Sequence, residues 1–98
     1  MTTRIALAAG LMVLLPLLAH AQQAGCKVTL SQYNELKPGI SYEQAVAVLG
    51  CAGKNPVFSQ LEPHTYEKYS WDGNSPDSGV TITFRSGKLT EKWQSGLR

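Results

Sequence analysis

At 98 residues, with nine basic against seven acidic side chains, the chain has room for one small domain and excludes a multidomain machine. The near-balance of charge excludes a broad basic face for a phosphate backbone, so no nucleic-acid partner is expected.

The first 21 residues read as an export signal rather than as part of the fold. Arg4 supplies a positive start, Ile5 to Ala19 is apolar with Pro16 inside it, and Ala19-His20-Ala21 is a small-x-small cleavage site. Cleavage between Ala21 and Gln22 leaves a single domain over 22–98. The apolar run falls short of the ~20 residues a spanning helix needs, so no membrane span is expected after cleavage and the product is periplasmic or secreted. Loss of Arg4 takes the basic count from nine to eight, against seven acidic residues.

A core of this size is marginal and commonly needs a staple. Cys26 and Cys51 are the two cysteines of the chain. Exported proteins meet an oxidising space, so a Cys26–Cys51 disulfide is expected. Closing a loop of about 25 residues contributes roughly 3–4 kcal/mol in the chain-entropy model. The alternative is a lipid anchor on Cys26, because Gln23-Ala24-Gly25-Cys26 faintly resembles a lipidation box. Gln23 stands where that box is apolar, and Cys26 lies well beyond the apolar run, which favours the disulfide.

Thr29 to Leu36 is expected to form a first short helix, capped by Thr29 or Ser31, with Leu30, Tyr33 and Leu36 as its inward stripe. Lys37-Pro38-Gly39 makes the turn. A second helix follows from about Tyr42 to Leu49. Ser41 and Gln44 are spaced as a capping box, Ala45, Val46, Val48 and Leu49 form an apolar face, and Gly50 stands where a left-handed cap residue is wanted. Two turns of helix are not stable alone in water, so this hairpin must dock on something.

Ala52 to Pro63, with Gly53, Pro56 and Pro63, reads as a loop anchored into the core by Val57, Phe58 and Leu61. His64 to Trp71 is rich in strand-forming aromatic and Thr residues, with Trp71 assigned to the core. Asp72 to Gly79 is a turn-rich connection. Val80 to Phe84 alternates strictly, Ser86-Gly87 is a turn, and Lys88 to Gln94 is the return strand. The expected architecture is α+β in two layers: a short helical hairpin packed on a three-stranded antiparallel meander, in the order α-α-β-β-β. Val80, Ile82, Phe84 and Leu89 then face the helices. Thr81, Thr83, Arg85, Lys88, Thr90 and Lys92, with Lys68 beside them, face outward.

At this point the residues resemble two families. Gly39 to Val46, with Leu49-Gly50 after it, and the hairpin Val80 to Leu89 are similar to the SmpA/OmlA (BamE-like) envelope modules. They are also similar to one repeat of the β-lactamase inhibitory protein (BLIP-like) family. The likeness covers about Thr29 to Leu97. It implies an α+β module that binds another envelope or secreted protein, either as an envelope-associated module or as a β-lactamase-inhibitor-like protein. The inhibitory protein carries two repeats, and one repeat cannot make its two-lobed concave surface.

Groups for catalysis are sparse. His64 is the single histidine after signal removal, no second histidine is present for a zinc site, and Ser31, Ser41 and Ser59 stand in no recognisable elbow. Asp72, Asn74 and Asp77 have the wrong spacing for a calcium loop, with Pro76 among them. No catalytic residue, metal or cofactor is therefore expected, and the reading is a non-enzymatic protein-binding module. Its candidate partner contacts are Lys68, Asp72, Asp77, Thr81, Thr83, Arg85, Lys88, Thr90 and Lys92: the outward sheet face and the 72–79 loop. A small-ligand module and a small hydrolase are the readings from other classes.

Overall fold

A computed structural model describes residues 25–98. The expected signal segment, with Ala21 and Gln22 at its cleavage point, lies outside the described residues. The elements run α1 (Leu30–Glu35), α2 (Tyr42–Leu49), β1 (Lys54–Leu61), β2 (His64–Asp72), β3 (Gly79–Arg85) and β4 (Lys88–Ser95).

Both helices start on reciprocal caps. Thr29 Oγ1 accepts the Gln32 N–H at 3.1 Å while Gln32 Oε1 accepts the Thr29 N–H at 2.9 Å. Ser41 and Gln44 repeat the exchange at 3.1 and 2.8 Å. Each box satisfies amides that a helix N-terminus otherwise leaves bare. Gly50 ends α2 at φ +87°, a left-handed conformation that costs glycine nothing sterically, and its N–H reaches the Val46 carbonyl at 2.8 Å.

The sheet is a simple antiparallel meander, β1-β2-β3-β4. The helices dock on one face of it. Leu36, Ala45 and Leu49 from the helical side meet Trp71, Val80, Ile82, Phe84 and Leu89 from the sheet, all buried. The turn between the helices is stitched to β4, because the Gly39 N–H donates to the Leu89 carbonyl at 2.9 Å and the Leu89 N–H to the Ile40 carbonyl at 2.8 Å. Tyr42 at the start of α2 stacks on Tyr69 at 4.1 Å and meets Phe84 edge-on at 5.8 Å, an arrangement aromatic quadrupoles favour. Cys26 and Cys51 are bridged, with Cα atoms 6.1 Å apart, so the segment entering α1 is tied to the end of α2. The indole N–H of Trp71 then donates to the Cys51 carbonyl at 2.9 Å. Close packing reaches Gly53 as well, where a Cβ would stand 2.7 Å from Tyr69 Cβ and 2.9 Å from the Trp71 ring.

Four strands stand where three are expected. Lys54 to Leu61 is not a loop but the edge strand β1, and Val57, Phe58 and Leu61 are 59%, 63% and 65% exposed rather than core anchors. The Asn55-Pro56 pair that reads as a breaker is absorbed by an irregularity in the ladder between Lys54 and Val57, with Asn55 at φ +50°. Proline is tolerated at such edge positions. The second correction concerns β4. Its pairing with β3 slips between Thr83 and Phe84: Leu89 stands opposite Phe84 but Glu91 stands opposite Thr83, leaving Thr90 as the extra residue of a bulge. Beyond that bulge every side chain of β4 has changed face.

Candidate functional site

The free face of the sheet is built from alternate residues of all four strands. One row crosses it as Glu91, Thr83, Lys68 and Val57, each opposite the next. The row toward the β2–β3 connection holds Trp93, Thr81 and Ser70, and the row toward the other end holds Arg85, Tyr66 and Ser59. Two open grooves share Lys68, Thr83 and Glu91 as common walls, one running toward Trp93 and the other toward Val57, Leu61 and Tyr66. Trp93 is 61% exposed. Neither Lys68 nor Glu91 makes an ion pair among the described residues. The face therefore presents apolar anchors around a pair of exposed opposite charges, with Arg85 and Lys88 opposite each other at one end adding positive charge.

Thr81, Thr83, Arg85 and Lys68 lie on this face as expected. Thr90 borders it at the bulge, where its hydroxyl donates to the Thr83 carbonyl at 3.4 Å. The side chain of Lys92 does not lie on this face. It stands opposite Ile82, on the helix side, where its ammonium donates to the Tyr33 carbonyl at 2.8 Å and sits 4.2 Å from the Tyr33 ring centre. Burial, and then the charge of Lys37, hold its pKa below the usual lysine value. Glu91 and Trp93 take the outward positions that Lys92 and its parity were expected to hold. A signal for this was present: strict alternation inward from Leu89 puts Glu91 in the apolar core, which only a change of parity avoids.

The 72–79 connection is a braced corner rather than a free loop. The Arg98 N–H donates to Asn74 Oδ1 at 2.9 Å, Asn74 Nδ2 returns a bond to the Arg98 carbonyl at 2.7 Å, and the Ser75 hydroxyl donates to the Gly96 carbonyl. Asp77 is exposed in the turn at φ +58°. Asp72 is held by Lys54 at 2.8 Å and, more distantly, by Lys27 at 3.9 Å. The hydrogen bond from Lys54 lowers the Asp72 pKa below the ordinary aspartate value. A depressed carboxylate contributes stability that is whole above its unfolded pKa and is lost as the pH falls through its folded one. Acid titration of stability should therefore show a small loss confined to the region below about pH 4, and Asp72→Asn should remove that part of the acid limb. Both partners are half exposed, so the effect is modest.

His64 stands at the start of β2 with its ring nitrogen 3.0 Å from the Ser86 hydroxyl. Among the described residues no group of three or more His, Cys, Asp or Glu side chains is placed to hold a metal ion, and no helix is long and apolar enough to cross a membrane.

A family model described as Beta-lactamase inhibitor (BLIP) matches residues 29–98. This bears out one of the two resemblances and leaves the other, to SmpA/OmlA-type modules, unconfirmed. No curated protein and no solved structure matches the chain.

Proposed function

This chain belongs to the Beta-lactamase inhibitor (BLIP) family, and on that premise we propose that it is an exported, non-enzymatic, inhibitor-like module that binds another envelope or secreted protein through its free sheet face. The observation that carries the reading is Trp93. A tryptophan 61% exposed on a sheet face that no described residue covers, beside Lys68 and Glu91, which make no ion pair among the described residues, has the make-up of an interface anchor and its polar rim. Aromatic anchors supply most of the energy in such contacts, and rim charges set the approach and the choice of partner. The surplus of positive charge at Lys68, Arg85 and Lys88 fits a partner surface that is acidic around an apolar or aromatic patch. Export rests on the Arg4 to Ala21 segment, and the Cys26–Cys51 bridge suits an oxidising compartment.

Capture from envelope extract by the immobilised protein tests this. Trp93→Ala should weaken capture at least about tenfold with the melting temperature nearly unchanged, since the indole contributes little to the core. Lys68→Glu with Arg85→Glu should slow association and reverse its salt dependence. Full capture by both folded variants would take the sheet face out of consideration.

A further inference from the structure

We propose that β1 is a self-association edge, through which a second copy of this chain continues the sheet in an antiparallel, two-fold symmetric pairing. This goes beyond the partner-binding reading and does not depend on it.

The two edges of the sheet are treated differently. Natural sheets protect free edges with charge, bulges or a cover. The β4 edge has all three: Lys88, Glu91 and Lys92 along its length, the bulge at Thr90, and the Leu89 backbone bonded to Gly39 and Ile40. From Asn55 to Leu61, β1 carries no charge, all eight of its residues are exposed, and its large apolar side chains lie on both faces. The stretch that stays in regular register, Val57 to Leu61, follows the irregularity at Asn55-Pro56.

The backbone groups of this edge that are unused among the described residues can be assigned. Gln60 stands opposite Thr65, and the Thr65 carbonyl accepts the Ser86 N–H at 2.8 Å on the other side of β2. In an antiparallel ladder the N–H and C=O of a residue point the same way, so Thr65 turns away from β1 and Gln60 turns toward the open edge. By the two-residue period, so does Phe58.

These positions are complementary to themselves, which is what selects a second copy over a foreign strand. With Ser59 on the two-fold axis, Phe58 faces Gln60 of the second copy and each such pair exchanges two backbone hydrogen bonds, repeated by symmetry. Val57 then faces Leu61 of the second copy on the free sheet face, twice. Pro56, which has no N–H to give, stands opposite Glu62 beyond the bonded stretch.

Sedimentation equilibrium on the protein expressed from the full-length chain should show a reversible monomer–dimer equilibrium below about 100 µM, the range of modest protein association. Ser59→Lys sets like charges against each other on the axis and should weaken the dimer at least tenfold while the monomer melts as before. Ser59→Cys should give a symmetric intermolecular disulfide under mild oxidation, since a non-hydrogen-bonded pair holds its Cα atoms about 4.5 Å apart. Thr90→Cys, exposed near the other edge, should not. A chain that stays monomeric, a Ser59→Lys variant that dimerises as tightly as the parent, or a dimer that Ser59→Cys fails to cross-link would each overturn the proposal.

Discussion

Phe84→Ala is expected to remove about 3–5 kcal/mol of stability, a large part of the 5–15 kcal/mol typical of a whole domain. The side chain is fully buried, at the middle of the layer between sheet and helices. Tyr42 meets it edge-on at 5.8 Å and Tyr69 at 6.0 Å, so the ring is held on two sides by residues from different elements. Deleting it loses the transfer energy of the ring and leaves a cavity that rigid β3 backbone on one side and α2 on the other do not close. The urea midpoint followed by far-ultraviolet circular dichroism checks this, with Phe84→Leu as the milder companion. A loss below about 1 kcal/mol for the alanine variant would mean that β3 does not present this position to the core.

Removing the disulfide is the second large expected effect. Cys26 and Cys51 close a loop of 25 residues that contains both helices. The chain-entropy model assigns about 3.5 kcal/mol to a loop of that size. The bridge also steadies the Cys51 carbonyl that accepts the Trp71 indole N–H at 2.9 Å, so its loss loosens the contact between the end of α2 and the core strand β2. Cys26→Ala with Cys51→Ala should lower the melting temperature by more than about 10 °C in a domain of this size. The intact protein should have a mass two hydrogens below that of its dithiol form, and reduction should reproduce the destabilisation. An unreduced melt equal to that of the double variant would show that the bridge constrains nothing, and a lipid adduct on Cys26 would exclude the bridge altogether.

The features that local chemistry dictates were legible from the residues alone. A capping box needs a hydroxyl and a glutamine three residues apart, and Ser41/Gln44 leave the backbone little alternative, whereas for α1 the residues offered Thr29 or Ser31 and the fold chose Thr29 with Gln32. Gly50 marks the end of α2 because only a left-handed residue completes that cap. Val80, Ile82 and Phe84 announce a half-buried strand by their period, and the burial of each follows from it. The pairing of Cys26 with Cys51 follows from there being no other cysteine.

Tertiary structure decided the rest, and the free face is where that matters. β1 draws its order from the ladder with β2 rather than from burying a face of its own, so it carries no period that could separate it from a loop, and Pro56 argues the wrong way. Val57, Phe58 and Leu61 look like core because they are apolar, yet the helices are too short to cover the first strand. The exchange of Lys92 for Glu91 and Trp93 is the sharper case. A bulge adds one residue without changing composition, and one residue is all it takes to turn a strand over. What favours it is a comparison between two packed states, one that buries Glu91 and another that frees it and lays Lys92 across Tyr33. Residues far apart in the chain set that difference, so the composition of the candidate surface is a property of the packed layers and not of β4 read by itself.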